Sequence, residues 1–330
     1  MIEREVIVVG GGPAGAAAAW ELQRSGVDCL VLDRETFPRE KLCAGWITPE
    51  VVQDLEFEPS DYPHRFLTFE RLNVSIKGLS VALRSPQHSI RRFEFDAWLL
   101  ERSGAECQQH NVRHIVAEAG AGAGGYVIDD RFRCRYLIGA GGTRCPVYRE
   151  LFRALNPRPP SLQAVTLELE FPYPWADGEC HLWFFSHGLP GYAWYVPKAD
   201  GYLNVGVGGI ADKLKRRGDD IRTHWQHLVD RLLEDGLIDK APEPPGGYSY
   251  FLRSKRDLGR VGNAFVVGDS AGLATRDMCE GIGPAVRTGL RAARAITRSE
   301  PYVMHDVAAY TSGNALVRKG LESMIAGRRA

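Results

Sequence analysis

Residues 5–15 read EVIVVGGGPAG, a run of β-branched residues that leads into a glycine-rich turn. The run predicts a buried strand, and the next segment, Ala16–Ser25, is rich in strong helix formers and predicts a helix that ends at Gly26. A second strand is expected over Val27–Leu32, with Asp33 directly after it. Strand, glycine turn, helix, strand and acid in this order predict a Rossmann-like unit that binds a dinucleotide.

The glycines of this turn, Gly10, Gly12 and Gly15, have the spacing GxGxxG. Gly10 allows the tight turn, Gly12 lets the backbone approach a pyrophosphate, and Gly15 lets the helix pack close to the strand. The helix N-terminus would direct its partial positive charge at the phosphates. Asp33 would accept a hydrogen bond from a ribose hydroxyl and would disfavour a ribose 2′-phosphate.

A second stretch, nearer the C-terminus, indicates which dinucleotide is bound. It reads VVGDSAG over 266–272 and CEGIGPA over 279–285. A buried strand would deliver Asp269 to a glycine bend, where its carboxylate can accept a bond from a ribitol hydroxyl. The Gly281–Gly283 bend starts a helix, so its N–H groups could hold the negatively charged N1–C2=O edge of a flavin. Because NAD enzymes do not need this second element, the two motifs together predict FAD.

Composition and charge exclude several classes of protein. Lys and Arg total 41, as do Asp and Glu, so there is no basic surplus of the kind that nucleic-acid binding requires. The cysteine count of 7 is odd and no CxxC pair occurs, which argues against a disulfide framework or a metal site and favours a reducing, cytoplasmic setting. Glycine is enriched at 36 of 330 residues, and much of it lies in the turns that a dinucleotide would approach.

The order of the motifs predicts two interleaved domains. Residues 165–210 are aromatic, strand-like and punctuated by Gly and Pro, whereas the C-terminal part returns to the texture of the N-terminal part. The predicted fold class is therefore α/β, with a discontinuous Rossmann-like FAD-binding domain and an inserted, mainly antiparallel β-sheet substrate domain. The expected boundaries are 1–62, 91–160 and 256–330 for the FAD-binding domain, and 63–90 and 161–255 for the substrate-binding domain.

Local patterns predict further elements. Helices are expected over Phe95–Ser103, over the amphipathic stretch Lys213–Leu233 and over the alanine-rich stretch Pro284–Thr297. The glycine run Gly120–Gly125 predicts a hairpin turn, and the segment 242–247, which reads PEPPGG, predicts a linker.

Three motifs resemble those of the geranylgeranyl reductases, a family of FAD-dependent oxidoreductases related to flavin-dependent monooxygenases. Residues 41–45 (KLCAG) resemble the family's cysteine loop over the flavin, and 92–99 (RFEFDAWL) resemble its RxxFDxxL stretch. Residues 190–197 (PGYAWYVP) resemble its PxxYxWxFP substrate motif, with Val196 where Phe is usual. Family members usually extend further at the C-terminus, so we expect a more open pocket here.

The resemblance implies a set of cofactor contacts in addition to the glycines above. Arg92 would neutralise the pyrophosphate, and Val112 would contact the adenine end through its backbone. The residues predicted to bind FAD are Gly10, Gly12, Ala14, Gly15, Asp33, Arg34, Cys43, Ala44, Trp46, Arg92, Val112, Asp269, Gly281, Ile282 and Gly283.

Three residues are candidates for catalysis. The Cys43 thiol, near the flavin by resemblance, could steer the substrate or pass a proton, although a small buried thiol is an equally good interpretation. Tyr192 and Trp194 are two residues apart, so on a strand both point to one face, where they would form an apolar slot or an aromatic core stripe. The resemblance implies reduction of a carbon–carbon double bond in an isoprenoid or other apolar substrate, by hydride transfer from flavin N5.

Other activities of the same fold remain open. Residues 139–142 read GAGG where relatives carry Gly-Ala-Asp-Gly; this weakens the case for a hydroxylating monooxygenase and leaves the electron donor open between NAD(P)H and a reduced electron-transfer protein. Residues 192–197 (YAWYVP) also resemble the WxWxIP motif of flavin-dependent halogenases. A non-enzymatic flavin electron carrier is the remaining alternative. The expected partners are an apolar small molecule, a donor protein and, at the periphery, a membrane surface, but no nucleic acid.

Overall fold

The computed structural model describes residues 1–76, 78–118, 124–256, 258–312 and 318. Its internal contacts divide the chain into two compact units. The first unit consists of Met1–Arg39, Phe95–Pro159 and Tyr250–Gly313, and the second of Glu40–Glu94 and Pro160–Ser249.

The strands of the described residues are numbered in chain order. They are β1 Ile2–Val9, β2 Cys29–Asp33, β3 Trp46–Ile47, β4 Leu67–Ile76, β5 Leu79–Ser89, β6 Glu106–Gln109, β7 Ile115–Ala117, β8 Tyr126–Ile128, β9 Phe132–Gly139, β10 Gln163–Pro172, β11 Cys180–Phe184, β12 Gly191–Lys198, β13 Tyr202–Ile210, β14 Gly246–Phe251, β15 Arg260–Val261 and β16 Ala264–Val266. The α-helices are α1 Pro13–Arg24, α2 Pro49–Asp54, α3 Arg92–Arg102, α4 Ala211–Arg217, α5 Ile221–Glu234 and α6 Ile282–Thr297.

The first unit contains a mainly parallel sheet in the order β15-β16-β9-β1-β2-β6. β1 lies between β2 and β9 and pairs with both in parallel, and β16 extends the sheet beyond β9, also in parallel. The segment after residue 250 thus completes the sheet that the N-terminus begins. β-branched and leucine side chains fill its centre, where Val6, Ile7 and Val8 are fully buried. This is the Rossmann-like sheet that the sequence predicts.

α1 and α6 pack together on this unit. A Cβ atom at Gly289 of α6 would lie 2.2 Å from the carbonyl oxygen of Ala14, so the two helix backbones approach to a distance that only glycine permits. The buried carboxylate of Glu21 reinforces the pair, with ion pairs to Arg24 of its own helix at 2.8 Å, to Arg294 at 3.3 Å and to Arg298 at 2.9 Å. The C-terminal motif is thereby held against the N-terminal one.

The second unit contains a mixed sheet in the order β14-β10-β13-β12-β11-β4-β5-β3. The neighbours β10–β13, β12–β13, β11–β12, β4–β5 and β3–β5 are antiparallel, whereas β11 and β4 run parallel. α5 lies against this sheet and contributes Trp225, Leu228 and Leu232 to a core shared with Tyr195 and Val205. The mainly antiparallel character that the sequence indicates is therefore present, next to one parallel pair.

Three expectations about local structure need correction. The single helix predicted over Lys213–Leu233 is wrong: α4 ends where Gly218 adopts φ +69°, and α5 begins after Asp220, whose side chain accepts a bond from the Arg222 N–H. The helix expected from Phe95 begins earlier, at Arg92, and Gly246 already belongs to β14 rather than to a linker. Residues 120–123 of the predicted Gly120–Gly125 turn lie outside the described residues.

The two compact units differ from the predicted domain boundaries at residues 40–62, 91–94, 160 and 250–255. Residues 40–62 group with the second unit, because β3 (Trp46–Ile47) pairs with β5 there. Over the described ranges, none of the helices combines the length and apolar composition needed to cross a bilayer.

Candidate active site

The glycine turn brings α1 unusually close to β1. A Cβ atom at Gly15 would lie 1.8 Å from the carbonyl oxygen of Gly10, and one at Gly10 would lie 2.5 Å from the carbonyl oxygen of Ala140. Gly10 also has φ +109°, which side-chain-bearing residues rarely adopt. Gly12, by contrast, meets no backbone atom within 4 Å. The turn is therefore closely packed at Gly10 and Gly15 and open at Gly12, as a loop that receives a pyrophosphate must be.

Asp33 stands at the end of β2 beside this turn and is 9% exposed. One carboxylate oxygen accepts the Gly11 N–H at 2.7 Å and the other accepts the Glu35 N–H at 2.9 Å. A carboxylate offers about four acceptor positions, so Asp33 can fix the turn and still accept a ribose hydroxyl. Its neighbour Arg34 is exposed, and the Arg34 Nε lies 3.3 Å from Glu35 Oε1.

Arg39 is a candidate that the sequence reasoning missed. Its Nη2 lies 3.3 Å from where a Cβ atom of Gly12 would be, and 3.1 Å from the fully buried carboxylate of Asp96. Its Nη1 is buried and has no hydrogen-bond partner among the residues that the structure describes. A cation with an unused donor at the open side of the glycine turn fits an FAD pyrophosphate. In the sequence, the signal that could have identified Arg39 is a basic residue a few positions after Asp33, the acid that ends β2.

The second motif also has a defined geometry. Gly268, at φ +55°, donates its N–H to Thr288 Oγ1 of α6 at 2.9 Å, and the adjacent Asp269 places Oδ1 3.4 Å from where a Cβ atom of Gly281 would be. The predicted ribitol acceptor and the predicted flavin-edge loop are thus neighbours. The Gly283 N–H, however, already donates to Glu280 Oε1 at 2.5 Å, so a flavin edge that used this amide would have to displace that carboxylate.

Three further cofactor candidates lie in the first unit, and one lies in the second. The side chain of Val112 is buried in the core, so a contact with adenine is open only to its backbone. Ala14, on the first turn of α1, packs near Gly268, and Ile282 begins α6. Arg92, to which the resemblance assigns the pyrophosphate, belongs to the second unit and is 8% exposed.

In the second unit, Lys198 anchors the cysteine loop. The residue is fully buried, and its Nζ donates to the carbonyl oxygens of Ala44, of Gly45 at 2.6 Å and of Ile90 at 2.8 Å. Burial lowers the pKa of Lys198 to about 8. The sequence analysis did not identify Lys198 as a site residue. The signal that could have identified it is a lone lysine directly after Pro197, at the end of an apolar strand. Two of these bonds fix the path of the loop directly after Cys43, and the third ties it to Ile90.

A chain of hydrogen bonds links the cysteine loop to the aromatic motif. Trp194 Nε1 donates to Asn204 Oδ1 at 2.8 Å, and Asn204 Nδ2 donates to the Cys43 carbonyl oxygen at 3.2 Å. The indole lies over Gly206, where a Cβ atom would come within 2.2 Å of the ring, and the Tyr192 ring lies 5.7 Å from that of Trp194. The structure thus brings the three predicted catalytic residues together in one unit, with Trp46 nearby in the sequence on β3.

Glu168 lies on the same face and was also missed. The residue is 2% exposed, and its Oε2 has no hydrogen-bond partner within the described ranges. Burial raises its pKa to about 7, against the opposing charges of Lys41 and Lys198. The signal was the alternation along β10, where polar side chains recur at every second position, including 166, 168 and 170. A buried carboxyl group whose pKa lies close to neutral pH is a candidate for proton transfer.

Comparisons with known proteins agree with this geometry. A family profile described as an FAD binding domain matches residues 3–56. Menaquinone reductase from Mycolicibacterium smegmatis is 29% identical over 319 residues, which cover 89% of this chain and 76% of that protein. Digeranylgeranylglycerophospholipid reductase 2 from Methanopyrus kandleri is 28% identical over 258 residues, which cover 73% of this chain and 63% of that protein.

Solved structures share the fold. A geranylgeranyl bacteriochlorophyll reductase-like protein from Thermoplasma acidophilum superposes with a TM-score of 0.76 at 17% identity, over 98% of this chain and 83% of that one. A flavin-dependent brominase superposes with a TM-score of 0.72, also at 17% identity, over 91% of this chain and 81% of that one. The glycine turn, the unpaired guanidinium nitrogen beside it and these relatives agree on one cofactor. The chain is an FAD-dependent oxidoreductase that resembles the geranylgeranyl reductases and the menaquinone reductases.

Proposed function

We propose that this oxidoreductase reduces a carbon–carbon double bond of an apolar, isoprenoid-like substrate. The observation that carries the proposal is the apolar face built by Tyr192 and Trp194, which is hydrogen-bonded through Asn204 to the loop of Cys43. Relatives named for menaquinone and for digeranylgeranyl lipids support an alkene-bearing substrate. When bound and reduced, FAD supplies hydride chemistry from its N5 position.

The residues of the chain would orient the substrate and exclude water. Gly206 and Gly208 of β13 lack side chains, so the Trp194 indole can lie flat over the strand and present an apolar surface. Trp194 cannot rotate freely, because its Nε1 is bonded to Asn204. A rigid aromatic surface of this kind would hold an isoprene unit in one pose, which is the part of catalysis that a protein supplies to a cofactor.

Cys43 is proposed to contact the substrate or to pass a proton. The residue is partly exposed, and the two bonds from Lys198 to Ala44 and Gly45 hold the following backbone in place. Residues predicted to bind FAD, in addition to the glycines of the first turn, remain proposals: Ala14, Asp33, Arg34, Cys43, Ala44, Trp46, Arg92, Val112, Asp269, Gly281, Ile282 and Gly283. To these we add Arg39.

The electron donor and the cellular setting belong to the proposal as well. NAD(P)H docking transiently and a reduced electron-transfer protein are the two candidate donors. An apolar substrate would be collected at a membrane surface, which favours peripheral contact of an otherwise cytoplasmic protein.

One experiment separates the proposed reaction from its rivals. The purified protein is checked for bound flavin, reduced with dithionite without oxygen and mixed with polyprenyl lipids that carry no quinone ring, and the products are analysed by mass spectrometry. A gain of two hydrogens supports the reductase. A gain of one oxygen after admission of air identifies a monooxygenase. Incorporation of bromine in the presence of bromide and air, whose oxygen is the oxidant, identifies a halogenase, the alternative that the likeness to the brominase fold and the Tyr192–Pro197 motif favour. A protein that binds no flavin contradicts the proposal altogether.

A further inference from the structure

We infer that Glu168 is the acid that delivers the proton in this reduction, a role that rests on the proposed function. Hydride addition to one alkene carbon requires a proton at the other, and the sequence analysis named only Cys43 as a group that could pass one. Glu168 was not among the predicted site residues.

The register of three strands places Glu168 on the proposed substrate face. Glu168 of β10 pairs with Gly206 of β13, which pairs in turn with Trp194 of β12. A Cβ atom at Gly206 would come within 2.8 Å of the Glu168 Cβ and within 2.2 Å of the Trp194 ring. Because Gly206 carries no side chain, the Trp194 indole occupies the space over it, beside the Cβ atom of Glu168 on the same face of the sheet.

Its neighbour on the strand shows what is unusual about Glu168. Glu170 points to the same face, but it is more exposed and forms an ion pair with Arg91 at 2.9 Å. Glu168 is 2% exposed, and in the part of the chain that the structure covers its Oε2 accepts no bond. A buried carboxyl oxygen without a partner costs free energy, so its retention beside the aromatic surface indicates a task.

The charges around Glu168 suit an acid that gives up a proton and takes it back. Burial favours the neutral carboxyl and holds its pKa at about 7, so a large fraction is protonated at neutral pH. The cations Lys41, Lys198 and Arg92 stabilise the carboxylate once the proton has left, whereas Glu170 opposes it. A donor whose pKa lies close to the working pH is the most effective general acid.

The step balances in atoms and electrons. FAD, when bound and reduced, would supply the hydride, and hence both electrons, for one carbon of the double bond. The O–H bond of Glu168 breaks as a C–H bond forms at the other carbon, and the side chain is left as a carboxylate. A proton from solvent restores the acid before the next turnover, so no further reductant is consumed.

The test compares Glu168→Gln with the matched control Glu170→Gln. Flavin content and the reduction of a polyprenyl lipid by the dithionite-reduced protein are measured between pH 5 and pH 9. Independently of turnover, the carboxyl stretching band is followed by infrared difference spectroscopy during a pH titration of the oxidised protein. We expect Glu168→Gln to bind flavin, to lower the rate about 10²-fold or more and to lose the pH dependence. It should also lack an infrared band that titrates near pH 7. Glu170→Gln should keep the rate, the pH dependence and the band, with the midpoint moved to lower pH because the charge of Glu170, which raises the pKa of Glu168, is gone.

Each of the remaining outcomes contradicts one specific part of the proposal. If wild-type protein adds two hydrogens and Glu168→Gln does so at the same rate, the reduction stands and Glu168 is not its acid. If the infrared band survives in Glu168→Gln, the buried acid is a different residue. If wild-type protein reduces no alkene although the band is present, the proposed function itself fails. Should Glu168→Gln lose its flavin, Glu168→Asp is measured instead; it keeps the acid on a shorter side chain and must show an intermediate rate.

Discussion

Gly15 is the residue at which α1 meets the backbone of the glycine turn. A Cβ atom there would lie 1.8 Å from the Gly10 carbonyl oxygen, a distance that neither backbone can accommodate without moving. We expect Gly15→Ala to destabilise the protein by about 2 kcal/mol or more, as overpacked sites do, and to abolish FAD binding. Urea denaturation followed by circular dichroism measures the stability, and flavin absorbance after reconstitution measures the binding.

Gly12→Ala is the matched control for this prediction. The new methyl group would meet the end of the flexible Arg39 side chain at 3.3 Å and Asp96 Oδ2 at 4.0 Å, and no backbone atom within that range. The variant should fold with nearly wild-type stability and bind FAD more weakly, because the methyl group occupies the open side of the turn. Equal destabilisation by both substitutions would contradict the assignment of distinct roles to these two glycines.

Arg39 connects a buried acid to the proposed pyrophosphate site. Arg39→Gln removes a charge-assisted bond worth roughly 1.5–3 kcal/mol, so FAD should bind about 10- to 100-fold more weakly in a flavin titration. The same change leaves Asp96 buried without its ion-pair partner at 3.1 Å, which lowers the melting temperature.

A double variant separates these two effects of Arg39. In Arg39→Gln with Asp96→Asn the buried charge is gone as well, so the melting temperature should recover while FAD affinity stays low. Recovery of both properties would mean that Arg39 serves only to neutralise Asp96.

At the scale of elements, the segments recognised from the sequence are those whose pattern is local. β1, the glycine turn and α1 follow from adjacent residues, and α6 follows from its alanine-rich face. The break between α4 and α5 was missed because the amphipathic pattern continues through Gly218 and Asp220, which cap two separate helices. Lys198 and Glu168 were missed for a different reason. Their partners, Ile90 and Gly206, are distant in the chain, and only strand pairing brings them together.

The cysteine loop depends on β12 through a single ammonium group. Lys198→Met removes the donor for the carbonyl oxygens of Ala44, Gly45 and Ile90, and unsatisfied buried acceptors cost free energy. We expect the loop to open more often, so that Cys43 reacts several-fold faster with a thiol reagent, as measured by peptide mass mapping. The exposed Cys107, in the other unit, serves as the internal standard and should keep its rate. An unchanged rate at Cys43 would show that the loop is held by other contacts.

At the scale of the whole molecule, two buried groups link stability to pH in opposite directions. The Glu168 pKa is raised from 4.5 to about 7, so its contribution to stability is full below pH 4.5 and is lost as the pH rises through 7. The Lys198 pKa is lowered from 10.5 to about 8, so its contribution is full above pH 10.5 and is lost as the pH falls through 8. Both groups are charged and buried between pH 7 and 8, where their combined contribution is at its minimum.

Buried thiols modify the alkaline side of this profile. The pKa values of Cys29, Cys134 and Cys180 are raised from 9.0 to about 11, 12 and 12, mainly by burial. Their contribution to stability is lost as the pH rises above 9.0, which opposes the gain from Lys198. A single wild-type profile therefore does not isolate either group, and differences between variants are required.

Glu168→Gln isolates the acidic limb of the profile. Because the amide does not ionise, the variant should not lose stability between pH 4.5 and 7 as the wild type does. At pH 8 its free energy of unfolding should exceed that of the wild type by about 3 kcal/mol at most, the equivalent of the full pKa shift. Urea unfolding at several pH values, with Glu170→Gln as control, measures the difference. A difference between Glu168→Gln and wild type that does not change with pH would show that the carboxyl at 168 does not titrate in this window.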